Sequence, residues 1–423
     1  MKRIALYLGL ILVLVSFVIP GCTPSAPTGG TIKIGMIYPL TGPMAMTGAR
    51  MLEANKLAFE QVKYQVAGKK IEIVSGDSGS QVAMAIDTAR RMVENDKVAI
   101  VLGPIMGNVK MAVAEYMSKA GVPHLNSSPA PWPILTPAMP WSIAGAGSEQ
   151  QISSSSGAYA AQRGLKTVTL MTEDLFHSHG FADAFKAAFE AKGGKVIQEQ
   201  FTPYPSSDFA PYLTALKPAD ALVAWYEGAD AILFFNQVNS FGVRKKMPIT
   251  SIFHGSFYAN FILHAVEPAA AKATVGEITV TPYSPFLDHK ENKDFVALFE
   301  KKYKYLPDDT DTTPYDAGLI VIKALEATGG DTTPSKLKDA ILNVDFMATQ
   351  GRVVFDKQMK CRTRNIYACE VAEVGGKYLW KDVFAFKDVP PAGFAPPPAP
   401  PPGAGGPPGA GGPPGAGGPP AGH

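Results

Sequence analysis

The run that decides the fold of this chain is Ile32-Lys-Ile-Gly-Met-Ile37, a short apolar segment that ends in a turn rich in glycine and proline. Two more runs of this kind follow at residues 71–74 and 98–102. Between them, apolar residues recur at the spacing of one helix face, at Val82, Ala85, Ile86, Ala89 and Val93. Short strands that alternate with helices predict a parallel sheet covered by helices on both faces.

The same alternation starts again near residue 167. Residues 167–171 predict a strand, and further strands are predicted at residues 196–197, 221–225 and 249–253. A helix face between the first two is marked by Phe181, Ala184, Phe185, Ala188 and Phe189. The body of the chain, from residue 31 to about 389, is long enough for two domains with cores of their own. The sequence therefore predicts two α/β lobes.

The first 22 residues are typical of a secretory signal. Lys2 and Arg3 precede sixteen uncharged, mostly apolar residues, and the segment ends Ile19-Pro20-Gly21-Cys22. A cysteine directly after a small residue resembles the lipobox of bacterial lipoproteins, in which the thiol is acylated. The alternative is an ordinary signal peptide in which Cys22 has no role. In both cases residues 1–21 are expected to be removed, and the protein is exported. Residues 22–30 then form a linker, which carries the lipid on Cys22 if the segment is a lipobox.

Charge and hydropathy exclude two classes of protein. The chain has 39 basic and 37 acidic residues. Since Lys2 and Arg3 are lost with the signal, the mature chain is neutral, which argues against nucleic acid as a partner. After the signal, no stretch has the roughly 18 uncharged apolar residues of a membrane span.

Two cysteines remain beyond Cys22, namely Cys361 and Cys369. The polar residues 362–365 between them are interpreted as the turn of a hairpin, and an exported protein is exposed to oxidising conditions. The sequence therefore predicts a Cys361–Cys369 disulfide that clamps the hairpin. The alternative, a metal site, needs further ligands nearby, and none is evident.

The chain ends in a segment of proline, glycine and alanine that starts at residue 390 and runs to residue 423. It has no glycine at every third position, which excludes a collagen helix. Because it lacks residues that build a core, it is predicted to be disordered.

Four segments together resemble one known family. They are Ile34-Gly-Met-Ile-Tyr-Pro-Leu-Thr-Gly-Pro43, Ile71-Glu-Ile-Val-Ser-Gly-Asp77, Val101-Leu-Gly-Pro104 and Gly121-Val-Pro123. In this order the chain is similar to the extracytoplasmic solute-binding proteins of branched-chain amino acid (leucine/isoleucine/valine) ABC transporters. The resemblance implies the type I periplasmic binding fold, with two doubly wound parallel-sheet lobes joined by three crossovers. It implies lobe 1 from residues 31–146 and 282–346, and lobe 2 from residues 147–281 and 347–387.

The resemblance also implies how the protein works. A small solute is held in the cleft by closure of the lobes and delivered to the permease and ATPase of an ABC importer. The protein is expected to be a monomer without cofactor or metal, in the periplasm or at the outer face of the cytoplasmic membrane. The implied ligand-binding residues are Thr47, Gly107, Asn108, Ser127, Ser128, Phe176, His177, Trp225, Tyr226, Glu227, His254 and Tyr315. Structural roles compete with this reading: helix capping and turns for Ser127 and Ser128, strand burial for Trp225, a solvated loop for His177, and core packing for Tyr315.

Two positions depart from the amino-acid binders of this family. Those proteins have an acidic residue where this chain has His254, and a threonine near Ala130. A buried ammonium needs an anionic partner. In this chain the candidate for that partner is Glu227, in the neighbouring loop. We therefore expect a carboxylic acid or amide-like solute, aromatic or aliphatic, rather than leucine or valine.

The two alternative functions are an enzyme and a ligand-sensing receptor. Enzyme motifs such as Gly-x-Ser-x-Gly, a phosphate loop or His-Glu-x-x-His do not occur in the sequence. His177 and His179 offer two metal ligands, but no third is evident in sequence. The same fold also serves as the ligand-sensing part of receptors, which usually continue into a membrane-spanning or signalling domain that this sequence does not show.

Overall fold

The computed structural model describes residues 29–251 and 268–394. The export signal, Cys22, His254 and the tail from residue 395 onward lie outside the described residues.

The described part mostly alternates strands and helices up to residue 281, continues with three successive helices up to residue 342, and then ends in strands. The helices are α1 Ala45–Gln61, α2 Val82–Arg91, α3 Gly107–Ala120, α4 Trp132–Leu135, α5 Glu149–Gln162, α6 Phe176–Glu190, α7 Ala210–Thr214, α8 Gly228–Ser240, α9 Pro268–Ala273, α10 Lys290–Tyr303, α11 Asp309–Ala327 and α12 Pro334–Leu342. The strands are β1 Gly29–Tyr38, β2 Gln65–Val66, β3 Lys69–Asp77, β4 Ile100–Leu102, β5 His124–Leu125, β6 Ser142–Ile143, β7 Thr167–Glu173, β8 Lys195–Thr202, β9 Ala221–Trp225, β10 Ile249–Ser251, β11 Ile278–Thr281, β12 Phe346–Ala348, β13 Gly351–Asp356, β14 Cys361–Val374 and β15 Lys377–Val389.

The described residues form two sheets. The first has six strands in the order β2-β3-β1-β4-β5-β6, and β1 is parallel to both of its neighbours. The second has nine strands: its path runs β12-β13-β14-β11-β10-β9-β7-β8, and β15 pairs with β14. Strands β7 to β11 of this sheet are parallel, whereas β14 and β15 are antiparallel additions. The α/β fold with two parallel sheets is therefore confirmed.

The helix faces follow the sequence pattern to different degrees. The five apolar residues predicted for the face of α6 are all at most 3% exposed. That face packs closely on α5, because a Cβ atom on Gly157 would lie 2.3 Å from the carbonyl oxygen of Phe185. In α2, Ala85 and Ala89 are fully buried, but Val82 is 39% exposed. The first turn of α2 therefore projects beyond the core that its later turns cover.

Helix α11 returns to the first sheet late in the chain and packs on α1. The Asn55 Nδ2 donates a hydrogen bond to the carbonyl oxygen of Pro314 at 2.8 Å. Gly318 lets the two helices approach, since a Cβ atom there would lie 2.6 Å from the Cβ of Ala58. Residues 309–327 thus cover a helix of the N-terminal part; the exact lobe boundaries given above stay a prediction.

The predicted disulfide is wrong. Both Cys361 and Cys369 are buried free thiols, and they lie on the same strand, β14. Their backbones pair with different neighbours, Cys361 with Asp356 and Cys369 with Thr279. Eight residues of extended chain separate cysteines by roughly 26 Å, far beyond the reach of a disulfide.

The turn of the β13–β14 hairpin lies before the cysteines rather than between them. Asp356 Oδ1 accepts hydrogen bonds from the backbone N–H groups of Gln358 and Met359. The polar residues that sequence placed in the turn include Arg362 and Arg364, whose side chains are buried in β14.

Ordered chain extends into the segment expected to be disordered. The Ser148 Oγ donates to the carbonyl oxygen of Pro391 at 2.5 Å, and the Phe394 N–H donates to the Ser154 Oγ at 3.0 Å. Residues 390–394 therefore lie along α5, which corrects the predicted start of the disordered tail. Among the described residues, no helix combines the length and apolar character that a membrane span requires.

Candidate functional site

The carboxyl ends of strands from the two sheets meet at a narrow contact region, which we call the cleft. A Cβ atom on Gly107, at the start of α3, would lie 2.7 Å from the Cβ of His177, at the start of α6. A Cβ atom on Gly228, at the start of α8, would lie 3.0 Å from the Sδ of Met44. Residues that follow β1 and β4 thus touch residues that follow β7 and β9. Ligands of open parallel sheets bind at such strand ends.

One side of the cleft, which we call the first wall, consists of residues 103–108 and 126–130. It turns tightly away from β4 at Gly103, whose φ is +89°. A Cβ atom there would lie 2.1 Å from the carbonyl oxygen of Ile37, so only glycine fits this approach to β1. The path of the wall is therefore fixed by the end of the central strand of the first sheet.

The serines of the first wall hold the wall together. The Ser127 Oγ accepts a hydrogen bond from the Gly103 N–H at 3.1 Å, and the Ser128 Oγ donates to the carbonyl oxygen of Pro104 at 3.4 Å. Asn126 donates from Nδ2 to the carbonyl oxygen of Ile143 at 3.1 Å. All three side chains are buried. They therefore orient the loop, whatever further contact they make with a ligand.

The helices that begin at the cleft have no side-chain cap within the described part of the chain. The N-cap residues are Met106 for α3, Leu175 for α6 and Glu227 for α8, and none of these side chains accepts a backbone N–H of its helix. Helix α5, in contrast, begins with a capping box at Ser148. In α3 the Asn108 Oδ1 accepts the Val109 N–H at 2.9 Å. The other first-turn N–H groups of α3, and those of α6 and α8, are left for other acceptors, an arrangement that suits a carboxylate.

The other side of the cleft carries Glu173, His177 and Glu227, which we call the cleft cluster. All three are at most 4% exposed, and one potential ligand atom from each lies within 4.8 Å of the others. The His177 Nε2 is 3.6 Å from the Glu227 Oε1. The Glu173 Oε1 accepts the backbone N–H of Glu227 at 2.6 Å and so fixes the loop that follows β9.

Much of the polar capacity of the cleft cluster is unused. The Glu173 Oε2, the His177 Nδ1 and the Glu227 Oε2 are buried and have no hydrogen-bond partner among the described residues. The same holds for the neighbouring Ser178 Oγ. Buried polar atoms of native proteins are nearly always hydrogen-bonded, and leaving one unpaired costs about 1–3 kcal/mol. Unpaired atoms that converge in a cleft indicate a place for a ligand.

Aromatic rings enclose the imidazole of the cleft cluster. The His177 ring is edge-on to Trp225, with centroids 5.0 Å apart, and edge-on to Phe181 at 6.1 Å. Trp225 and Phe181 themselves form a T-shaped pair at 4.3 Å. These apolar surfaces exclude water and therefore strengthen electrostatic interactions with the cluster.

Two further charged groups are buried beside the cleft cluster. The Lys110 Nζ, on α3, donates to the carbonyl oxygen of Pro129 and lies 4.0 Å from the Glu149 Oε1, on α5. Burial lowers the pKa of Lys110 to about 8 and raises the pKa of Glu149 to about 7. Burial, assisted by the charge of Glu227, also raises the pKa of Glu173 above its ordinary value.

The remaining predicted residues lie in different settings. Phe176 is 53% exposed beside His177, and Asn108 is exposed beside Gly107. Tyr226 stacks on Phe234 at 4.4 Å in the core of the second sheet. Thr47, in the first turn of α1, and Tyr315, in α11, are buried. The Tyr315 ring packs on Phe295 at 4.5 Å, as core packing predicts.

The sequence did not indicate all of these groups. Glu173, Lys110 and Glu149 are not among the ligand-binding residues that the sequence implies. Lys110 lies one turn after Gly107 on α3, and Glu149 opens α5. A signal for Lys110 is its spacing from Gly107, which places both on one helix face. Glu149 has no comparable signal, because its partner is distant in sequence.

The chain matches a known protein family over most of its length. The sequence profile described as "Periplasmic binding protein" matches residues 31–377. The chain is also 25% identical over 378 residues to the Leu/Ile/Val-binding protein homolog 6 of Brucella melitensis biotype 1, which covers 86% of this chain and 93% of that protein.

The second comparison concerns solved structures. The solute binding protein of an ABC transporter from Rhodopseudomonas palustris BisB5, in complex with 3,4-dihydroxy benzoic acid, superposes with a TM-score of 0.79. It is 28% identical and covers 85% of this chain and 98% of that chain. A solute binding protein from R. palustris HaA2, in complex with p-hydroxybenzoic acid, also has a TM-score of 0.79 at 26% identity, covering 86% and 99%.

Proposed function

The chain belongs to the periplasmic binding protein family, the extracytoplasmic solute-binding proteins of ABC transporters, and we propose that its solute is a small aromatic carboxylic acid. The lobes formed by residues 31–146 with 282–346 and by residues 147–281 with 347–387 close over this solute. The loaded protein then delivers it to the permease and ATPase of an importer. Acylated Cys22 holds the receptor at the membrane while both lobes stay free to move.

The observation that carries the proposal is the meeting of uncapped helix N-termini in the cleft. Helices α3 and α6 come from different sheets, and their first residues touch at Gly107 and His177. Their first-turn N–H groups and the positive ends of their dipoles favour a carboxylate placed between them. A solute held by both helices binds the closed arrangement better than an open one and therefore drives closure.

An aromatic acid fits the rest of the cleft better than leucine does. Trp225 and Phe181 supply apolar surface against which a flat ring packs. The two similar structures described above hold benzoic acids with one or two hydroxyl groups. Phenolic hydroxyls are donors, and the unpaired acceptor atoms of Glu173 and Glu227 lie on the opposite side from the first wall. The absence of an acidic residue at position 254 argues in the same direction.

A thermal-shift screen of the full chain tests the solute class. The panel contains benzoate, 4-hydroxybenzoate, an aliphatic acid, an amide and leucine. A ligand that binds only the folded state at one hundred times its dissociation constant stabilises the protein by about 2.7 kcal/mol. We expect the aromatic acids to raise the melting temperature most. A response to leucine without any response to the aromatic acids contradicts the proposal.

The lipid anchor has a separate test. Cys22→Ser removes the thiol that accepts the acyl chain, whereas Ser25→Ala alters the same linker without touching it. Membrane and soluble fractions are compared after expression in a bacterium that processes lipoproteins. We expect the parent and Ser25→Ala in the membrane fraction and Cys22→Ser outside it. Equal distribution of all three overturns the anchor but leaves the solute class untouched.

A further inference from the structure

The cleft cluster brings together one imidazole and two carboxylates from three separate places in the chain. Glu173 ends β7, His177 lies in the first turn of α6, and Glu227 follows β9. One ligand atom from each lies within 4.8 Å of the others, and each residue also has a buried side-chain atom without a partner among the described residues. Buried polar atoms of native proteins are nearly always hydrogen-bonded, so three such atoms in one cluster need an explanation.

The charges around this cluster do not balance. Within the residues that the structure describes, the three buried carboxyl groups of Glu149, Glu173 and Glu227 share one buried amine, that of Lys110. Lys110 lies nearest to Glu149 and hydrogen-bonds the Pro129 carbonyl oxygen, and its charge also acts on Glu227. A buried carboxyl group without a counter-ion takes up a proton, pairs with a cation or holds a metal.

We propose that Glu173, His177 and Glu227 bind a divalent transition-metal cation, with Zn²⁺ or Mn²⁺ as the class of ion. One nitrogen and two carboxylate oxygens form a ligand set that suits these ions. Ca²⁺ and Mg²⁺ favour more ligands, all of them oxygen. Three protein ligands leave a further coordination position for water or for an oxygen atom of a solute. This inference goes beyond the proposed function, because a carboxylate bound at the helix N-termini needs no metal.

Aromatic enclosure and chain geometry support the same site. Trp225 and Phe181 pack on the imidazole and fix the ring from two sides. The Glu173 Oε1 is committed to the backbone N–H of Glu227, which ties two of the ligands together. Such outer contacts orient the ligands of metal sites before the ion arrives.

The test uses the full chain without a polyhistidine tag, stripped of metal with a chelator that is then removed. Isothermal titration with ZnCl₂ and MnCl₂, together with native mass spectrometry, gives affinity and stoichiometry. We expect one Zn²⁺ per chain, and a loss of affinity in His177→Gln and in Glu227→Gln that exceeds the roughly 10- to 100-fold loss typical of removing an outer-shell partner. Glu173 is not substituted, since it also positions the loop that follows β9.

The matched control is His179→Gln, two residues from the histidine of the site on the same helix. The His179 Nε2 lies 2.8 Å from the Asp174 Oδ1, and the ring is half exposed and stacked on Phe201. Its variant is expected to bind Zn²⁺ like the parent. Circular dichroism and melting temperature show that each variant is folded. The proposal is overturned by a parent that binds no stoichiometric metal, or by binding that survives His177→Gln and disappears in His179→Gln.

The metal proposal and the solute proposal are tested by separate titrations. Titration of 4-hydroxybenzoate into metal-free and zinc-loaded protein follows the solute, whereas the zinc titration follows the ion. Solute binding without any zinc binding overturns this inference and leaves the proposed function standing. Zinc binding without any response to aromatic acids overturns the proposed solute and leaves the metal inference standing.

Discussion

Two buried groups of charged residues in this molecule are built in opposite ways. In the first, which we call the β14 cluster, Asp316 faces Arg362, Arg364 and Gln350. Both side chains of the Asp316–Arg362 pair are 1% exposed, and the Nη1 to Oδ2 distance is 3.0 Å. The other Asp316 oxygen accepts the Thr349 N–H and hydroxyl at 3.0 and 2.7 Å. Both carboxylate oxygens of Asp316 have a partner, whereas the Nε atoms of Arg362 and Arg364 have none among the described residues.

The cleft cluster is equally buried but lacks such pairing. The His177 Nε2 is 3.6 Å from the Glu227 Oε1, and one oxygen of each carboxylate has no partner among the described residues. The β14 cluster therefore stabilises the fold, since removing one member exposes the charge of another. The cleft cluster contributes little to folding, and its unused atoms are available to a ligand.

The largest expected effect comes from removing a single carboxylate charge in the β14 cluster. Asp316→Asn leaves the Arg362 guanidinium buried without its counter-ion, and losses of about 3–5 kcal/mol are typical for such a change. Glu227→Gln is the equivalent substitution in the cleft cluster, where it removes a charge next to Glu173. We expect the free energy of unfolding of Glu227→Gln to equal or exceed that of the parent. Urea titration in the presence of a chelator measures it. Equal losses in both variants would remove the distinction between the clusters.

A second prediction concerns the contact between the two sides of the cleft. In Gly107→Ala the new methyl group would lie 2.7 Å from the His177 Cβ, across the contact between α3 and α6. Overpacking of this kind costs about 1–3 kcal/mol, so solute affinity is expected to fall roughly 5- to 150-fold. The fold itself should tolerate alanine in the first turn of a helix.

The control for this variant is Gly180→Ala in α6, because a Cβ atom there meets nothing within 4 Å. We expect unchanged solute affinity and a gain in stability of up to about 1 kcal/mol. Calorimetry measures affinity and urea unfolding measures stability. If Gly107→Ala binds as tightly as Gly180→Ala, the contact between α3 and α6 is not part of the bound state.

A smaller effect is expected at Glu277, a buried carboxylate with a single cationic partner. Its Oε1 is 2.6 Å from the Arg244 Nε. Burial raises the pKa of Glu277 from 4.5 to about 7, and Arg244 lowers it only in part. Because the folded state favours the protonated form, the stabilisation is complete below pH 4.5 and is lost as the pH rises towards 7.

The expected slope at Glu277 is at most about 1.4 kcal/mol per pH unit. Urea unfolding between pH 5 and pH 8 compares the parent with Glu277→Gln. The variant should lack this part of the pH dependence. Parallel curves for the two proteins would show that Glu277 ionises alike in the folded and unfolded chains.

The order of motifs predicted the α/β fold, and its loops include the first wall. Short apolar runs and glycine turns are local signals, and Gly107 and Ser127 lie on loops that these runs position. The cysteines show where such signals fail. Arginines are mostly exposed, so residues 362–365 were interpreted as a turn. In the structure Arg362 is buried because Asp316, 46 residues earlier, pairs with it.

The sequence predicts the cleft cluster only in part, for a similar reason. His177 and Glu227 are among the implied ligand-binding residues, but the sequence offers only His179 as a second metal ligand beside His177 and does not indicate Glu173. In the structure His177 lies beside two carboxylates, Glu173 and Glu227, which are 54 residues apart along the chain. His179 pairs with Asp174 at the surface instead. Contacts that join strand ends across a sheet depend on the strand order, which residue spacing does not reveal.

The central claim is that the cleft receives an aromatic carboxylate. Calorimetric titration of the full chain with 4-hydroxybenzoate and, in parallel, with leucine tests it most directly. The account predicts binding of one 4-hydroxybenzoate per chain and no heat of binding with leucine. Sub-micromolar binding of leucine, with no response to aromatic or aliphatic acids, would contradict it.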